Sequence, residues 1–274
     1  MTRSKSITTQ ISGILGQVSS TFGVVAWDFE RDRRIFINEN EVFPSASVIK
    51  IPIMVHVFCL RDEGRLSLDE TVLLRDEDKV DGSGVLKELH AGVELTLLDL
   101  TTLMIVTSDN TATNMIIDRI GMDSVNSRMR SLGIEKTVLA RRMYDWERQN
   151  RGFENLCTPH EIALLLKMMV EGGISSKSTS TEMLEIMARQ QCRERIPLLI
   201  PEGTRVANKT GSIPGVVHDA GVVYGPSGPY ALCVMIRGVS DAVAADRAIA
   251  DVSRLVYDQF SSPGRGRART GAIG

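Results

Sequence analysis

No stretch of this 274-residue chain is long and apolar enough to span a bilayer. The richest run, Ile51 to Leu60, is too short and carries His56, and Leu95 to Val106 carries Asp99. Met1 to Ser20 lacks the apolar core of a secretion signal. As it stands the sequence reads as cytoplasmic; a periplasmic or secreted protein would need a leader that has been removed. Cysteine is scarce. Cys59, Cys157, Cys192 and Cys233 are widely spaced, form no C-x-x-C, and lie in or beside apolar stretches, so they read as reduced, buried thiols. Histidine is equally scarce, and His56, His90 and His160 show no metal spacing; His160-Glu161 lacks the second His of a zinc helix. No metal and no cofactor is expected. The net charge of −2 gives no electrostatic case for nucleic acid or for an anionic membrane as a partner. The one basic cluster, Gly264 to Arg269, is short, Gly-rich and terminal, and residues 263–274 are expected to form a disordered tail. There is no internal repeat.

The chain is 43% hydrophobic and 24% charged, enough for one large domain or two closely joined lobes. Ile7 to Val18 patterns as a helix with one apolar face. Strands are expected at Gly23 to Phe29 and Arg34 to Asn38, around the polar turn Glu30-Arg31-Asp32-Arg33. From about residue 61 to about 195 the signals are nearly all helical. Thr96-x-x-Asp99 resembles a capping box. Asp123 can cap a helix that Gly133 ends. Thr158-Pro159-His160-Glu161 opens a helix that stops at Gly172-Gly173, and Thr179-x-x-Glu182 opens another. Strand patterns return at Thr204 to Thr210, Val216 to Tyr224 and Tyr230 to Arg237, and a last amphipathic helix runs from about Asp241 to Phe260. Two early strands and three late ones, with helices between, predict an α+β fold. It would hold a five-stranded antiparallel sheet flanked by the terminal helices, with an inserted all-helical lobe. The expectation is a single domain over 1–262, its sheet lobe about 1–60 plus 196–262 and its helical lobe about 61–195.

Ser47-Val48-Ile49-Lys50 follows a turn marked by Pro44 and leads into the apolar run Ile51 to Leu60, which reads as a buried helix. Ser47 then falls at a helix N-terminus with Lys50 one turn away on the same face. Pro52 removes an intrahelical hydrogen bond and predicts an irregular first turn. A serine hydroxyl is a weak nucleophile unless a base stands beside it, and this spacing brings an amine to it. Alone, the tetrapeptide could be a capping serine followed by a surface lysine. Two further motifs come later: Ser108-Asp109-Asn110 between two helices, and Lys209-Thr210-Gly211 at the end of the first late strand. Each alone could be an ordinary cap or turn.

The three motifs in this order resemble the penicillin-recognising serine hydrolases, specifically class A β-lactamases, a family for which this motif set is an established mark. Pro44-Ser45-Ala46-Ser47 and Ser108-Asp109-Asn110-Thr111-Ala112 strengthen the resemblance, which runs from about Gly23 to the final helix. It implies the β-lactamase/transpeptidase-like fold with its site between the lobes. The implied activity is acyl transfer through Ser47, with Lys50 as base if burial or a nearby charge such as Lys209 keeps it neutral. Ser108 would pass a proton to the departing nitrogen. The backbone N–H groups of Ser47 and Ser212 would bind the oxyanion. Lys209, Thr210 and Ser212, after Gly211, would hold a substrate carboxylate, and Asn110 would bond the substrate's side-chain amide.

The family places a deacylating Glu at the start of a long loop, after Arg-Trp and before Pro. Here Glu147 follows Asp145-Trp146, no Pro comes next, and Thr158-Pro159 arrives early, so the loop reads as shortened. Glu147 is either that base, with Trp146 packed beneath the loop, or a solvated carboxylate. Where the family often has an Arg on a late strand, the nearest residue is His218, either a partial replacement for that charge at low pH or a structural residue. The leading expectation is a hydrolase acting on a small-molecule β-lactam, as in β-lactam catabolism and antibiotic resistance. A cytoplasmic amidase, esterase or D-amino-acid peptidase with the same Ser-Lys site is the alternative, and a sensor that acylates without turnover is the second. The oligomeric state is not legible.

Overall fold

The computed structural model describes residues 6–262; the expected tail at 263–274 lies outside the described residues. In chain order the elements are α1 (Ile7–Leu15), β1 (Thr21–Asp28), β2 (Arg34–Ile37), β3 (Phe43–Pro44), α2 (Lys50–Asp62), β4 (Thr71–Leu73), β5 (Glu94–Thr96), α3 (Leu97–Val106) and α4 (Asn110–Ile120). They continue with α5 (Met122–Ser131), α6 (Trp146–Asn150), β6 (Leu156–Cys157), α7 (Pro159–Glu171), α8 (Lys177–Ala188), β7 (Val206–Ile213), β8 (Val216–Gly225), β9 (Gly228–Arg237) and α9 (Ala242–Ser261).

The main sheet has the order β2-β1-β9-β8-β7 and every pairing in it is antiparallel. Side chains alternate between its faces, as the two-residue strand period requires. In β1 and β9, Val24, Ala26, Leu232 and Val234 pack with Ile11, Leu15, Ile249 and Val252 of the terminal helices. Their neighbours Val25, Ala231, Cys233 and Met235 face Ile162 and Leu166 of α7 and the core of the helical lobe. The five strands predicted from the sequence are the five that form, and β7 runs on past Gly211 to Ile213. The short pairs β3–β6 and β4–β5 carry no pattern long enough to read in advance. No helix of the described residues is long and apolar enough to cross a membrane.

α2 is buried from Lys50 to Leu60, on all sides. A helix with no polar face has to lie inside the protein, and this one forms the axis on which both lobes close. Before it comes a 3-10 turn, Ala46–Ile49, the irregular start expected from Pro52. Ser47 lies inside this turn and caps neither helix, because α2 begins only at Lys50.

The Thr96–Asp99 capping box and the Thr158 cap form as read from the sequence. Two other caps differ. α5 is preceded by Gly121 at φ +79°, and Asp123 sits in its first turn where a carboxylate favours the helix dipole. α8 is capped by Ser176, whose hydroxyl accepts from Thr179 N–H; Thr179 and Glu182 instead bind Arg61 across the lobe.

Asp109 joins Ser108 and Asn110 to α4 and to the loop before α3. Its Oδ1 accepts from Ala112 N–H at 2.9 Å and caps α4. Its Oδ2 accepts from Val85 N–H at 2.6 Å and Leu86 N–H at 2.9 Å, fixing the loop that carries Gly82 and Ser83. A Cβ on Gly84, at φ +110°, would lie 2.2 Å from the Asp109 carboxyl, so only glycine permits this approach. Replacing a cap costs about 1 kcal/mol and stranding buried donors about 1–3 kcal/mol. Asp109→Ala should therefore lower the unfolding free energy by about 2–4 kcal/mol in urea denaturation. An unchanged midpoint would mean that other contacts hold the loop.

Candidate active site

The Lys50 amine is fully buried. Its Nζ donates to the Ser108 carbonyl at 2.7 Å and to Asn110 Oδ1 at 2.8 Å, and it lies 3.1 Å from Ser108 Oγ. All three contacts come from Ser108 and Asn110. Burial, and then the charge of Lys209, hold the amine well below the usual lysine range. Ser108 takes φ +57° and Ala46, beside Ser47, takes φ +45°. Non-glycine residues in this region are strained; one of the two contacts Lys50 and the other precedes Ser47.

The inner end of β7 closes the other side. A Cβ on Gly211 would lie 3.1 Å from Ser47 N, 3.2 Å from Ala46 Cβ and 3.2 Å from Ser45 O, so glycine allows strand and turn to touch. Lys209 is fully buried; burial lowers its pKa to about 8, with Cys192 and Asp219 opposing and Arg195 reinforcing the fall. Arg195 had no signal in the sequence. It pairs with Asp246 at 2.6 Å, donates to the carbonyls of Gly211 (3.1 Å) and His218 (2.7 Å), and donates to Ser212 Oγ at 2.6 Å. It therefore supplies a guanidinium directly behind the Lys209–Ser212 edge.

His218 does not serve that edge. It is fully buried; its Nε2 lies 2.8 Å from the Pro44 carbonyl, and its Nδ1 lies 2.8 Å from the Val217 carbonyl and 3.1 Å from Ile236 N. Its ring meets Phe43 edge-on at 5.7 Å. Burial lowers its pKa to about 4, so it is neutral and props the turn leading to Ser47. Of the two expectations for His218, a partial charge at low pH or a structural residue, the buried ring fits the second.

Glu147 is likewise not in the cleft. Its side chain is 87% exposed and its nearest ion partner is Arg151 at 3.9 Å. α6 is a single short helix capped by Asp145 Oδ1, which accepts from Arg148 N–H, and it turns Glu147 outward. Trp146 is 57% exposed and does not pack beneath the loop. The loop is anchored by two asparagines. Asn114 Oδ1 accepts from Met143 N–H at 2.8 Å and its Nδ2 donates to Met143 O at 3.0 Å. Asn155 Oδ1 accepts from the N–H groups of Ala140 and Arg141, and its carbonyl accepts from Ser45 N–H at 2.7 Å. The carboxylate that does reach the cleft is Glu154. Arg141 pairs with it at 2.8 Å, Gln149 Nε2 donates to it at 3.0 Å, and Asn155 N–H donates at 2.9 Å.

The resulting cleft has a volume of about 350 Å³ and is walled by Ser47, Ser83, Asn110, Met143, Glu154 and Ser212, among others, with Lys50 and Lys209 buried behind the wall. A wider depression of about 610 Å³ on the helical lobe contains Arg61, Glu70, Arg119 and Glu182, which pair among themselves and hold no nucleophile. No cluster of His, Cys, Asp and Glu among the described residues is placed to hold a metal.

A hydroxyl in a strained turn, one helical step from a buried amine that touches a second serine, defines the class of active-site serine acyl-transfer enzymes. A family model described as the β-lactamase enzyme family matches residues 6–260. The chain belongs to that family, on its class A-like side. The crystal structure of a β-lactamase from Sphaerobacter thermophilus is 35% identical, with a TM-score of 0.87 over 94% of this chain and 98% of that one. PBP-A is 32% identical, with a TM-score of 0.84 over 93% and 95% of the two chains. A point mutant of it is solved as the acyl-enzyme with penicillin G. An ancestral class A β-lactamase is 27% identical, with a TM-score of 0.87 over 93% and 100%.

The His218 contacts make a prediction about stability. Its pKa is about 4 folded against 6.5 for an ordinary histidine. Between these values the unfolded chain binds more protons, so stability is complete above about pH 6.5 and falls toward pH 4, by about 3 kcal/mol in all. His56, also lowered to about 4, moves in the same direction. Urea titrations at pH 7 and 4.5 should show a smaller loss in His218→Asn than in the wild type. Equal losses would mean that His218 is not buried neutral.

Proposed function

We propose that this chain opens β-lactams, or amides and esters of similar shape with a carboxylate, through an acyl-Ser47 intermediate. The observation that carries the reading is the buried Lys50 amine, held against Ser108 and Asn110 behind the cleft in which Ser47 stands. As a free amine it can take the Ser47 proton while Ser47 Oγ attacks the carbonyl. Ser108 is in contact with that amine and delivers a proton to the departing nitrogen. The N–H groups of Ser47 and Ser212 face the developing oxyanion, and one such donor contributes about 3 kcal/mol. Lys209, Thr210 and Ser212 bind the carboxylate, and Arg195 positions Ser212. Asn110 Nδ2 spends one proton on the Asp81 carbonyl at 3.1 Å and keeps the other for the substrate's acyl amide.

One observation favours slow release of the acyl group, toward the sensor reading. Glu147 points to solvent, and Glu154, the carboxylate in the cleft wall, is engaged by Arg141, Gln149 and the Asn155 backbone. Water then attacks the ester without a free carboxylate, forgoing the 10²–10⁴-fold, roughly, that a general base contributes. Mixing with benzylpenicillin should give rapid single acylation by intact mass, mapped to Ser47 and lost in Ser47→Ala, followed by slow decay. Glu147→Gln should leave both rates within about twofold, since an exposed carboxylate contributes no general-base factor. A hundredfold slower decay in Glu147→Gln would instead give Glu147 the deacylating role.

The Lys209 environment sets the alkaline limb. With its pKa near 8, Lys209 carries its charge below that pH and loses it above. The second-order acylation rate of a carboxylate-bearing substrate should fall as pH rises through about 8, while that of its neutral methyl ester should not. Parallel profiles would assign the limb to another group.

A further inference from the structure

Two large rings stand open at the mouth of the cleft. Trp146 is 57% exposed and Tyr144 is 37% exposed, and they meet edge-on at 5.3 Å. Neither is loosely held. Tyr144 takes φ +61°, Trp146 N–H donates to the Tyr144 carbonyl at 3.0 Å, and Asn114 locks the preceding Met143 on both sides. Tyr144 lies directly on the substrate side of the loop. A Cβ on Gly82 would meet its ring and hydroxyl at 2.5 Å and Asn110 Nδ2 at 2.6 Å, so this ring and the amide expected to bind the substrate's acyl group converge on one glycine. Beside the pair is a second groove of about 500 Å³, lined also by Lys79, Val80, Asp81, Lys87 and Glu88. Tyr144 and Trp146 border both spaces. Lys79 is paired with Asp76 at 2.7 Å and Lys87 with Glu88 at 3.7 Å, so neither lysine offers the groove an unpaired charge, and the two rings are its large apolar surface.

We propose that Tyr144 and Trp146 form an aromatic ridge that selects substrates whose acyl portion carries a flat ring and is long enough to cross from the Ser47 cleft into the outer groove. The inference rests on the acyl-Ser47 reading. Strain in Tyr144 and exposure of Trp146 work against stability and contribute nothing to the core. They make sense as a rigid stacking surface, for which aromatic pairs favour offset or edge-on packing. Trp146 is also a reporter, because the chain's other tryptophan, Trp27, is 8% exposed and lies in the core.

The test compares 6-aminopenicillanic acid, which has no acyl substituent, with benzylpenicillin and a biphenylacetyl analogue. In the wild type, acylation of Ser47 should speed up in that order. Trp146→Ala should slow the ring-bearing compounds by about tenfold, the scale of one aromatic contact, and leave 6-aminopenicillanic acid within about twofold. Trp146→Phe should recover most of the loss. In Ser47→Ala, titration with the biphenylacetyl compound should quench tryptophan fluorescence, and 6-aminopenicillanic acid should not. Equal slowing of all three compounds, or no slowing of any, would overturn the ridge while leaving acylation at Ser47 intact. Absence of Ser47 acylation by every compound in the wild type would remove the acyl-Ser47 reading, and the ridge with it.

Discussion

The rest of the molecule is arranged around one amine taken out of water. Removing an ammonium from solvent costs several kcal/mol even after relaxation, and in practice the group responds by losing its proton more readily. Lys50 is committed to that position because α2 has no solvent-facing side on which to place it. Its three partners come from Ser108 and Asn110, the residues on either side of Asp109. Asp109 in turn caps α4 and holds the loop at Val85 and Leu86. The buried Lys50 amine, Ser108 and one wall of the cleft are thus a single hydrogen-bonded unit.

The second half of the site depends on close approach. β7 can touch the Ser45–Ser47 turn because residue 211 has no side chain, and the turn accommodates this with Ala46 at φ +45°. Behind that contact His218 braces Pro44, and Arg195 ties the carbonyls of Gly211 and His218 to Asp246. Two cations, Lys209 and Arg195, therefore stand at one strand edge, and each lowers the tolerance of nearby amines for a proton. Strain, positive charge and burial fall together where the chemistry requires them, the usual pattern at functional sites.

The loop between Leu139 and Cys157 is organised differently. Asn114 and Asn155 fix its two ends, but the span between them is short. A short span leaves room for one small helix, and a helix one turn long cannot aim both Glu147 and Trp146 inward. Glu147 faces solvent and Trp146 is 57% exposed, while Met143 and the clamped Glu154 line the cleft with Ser47. Tyr144 and Trp146 stay partly exposed and border both the cleft and the groove outside it.

The amino-acid order by itself determined the strands, their antiparallel grouping, the buried α2, the Thr96 and Thr158 caps, and the three motifs that meet around Ser47. These are readable because strand period, capping chemistry and a one-turn Ser–Lys spacing act over a few neighbouring residues. Tertiary structure alone decided the rest. Arg195 reaches Ser212 from a segment with no pattern of its own. Ser176 rather than Thr179 caps α8, and the Thr179 hydroxyl binds Arg61 and Asp62 of another helix. His218 was read as a possible charge at the site, and burial between Pro44 and Ile236 made it a neutral strut. Glu147 follows a Trp as the family's Glu does, but without the Arg before it or the Pro after it, and the structure leaves its side chain in solvent. In each case the outcome depended on which distant group arrived within about 3 Å, the reach of a hydrogen bond, and local sequence does not encode that distance.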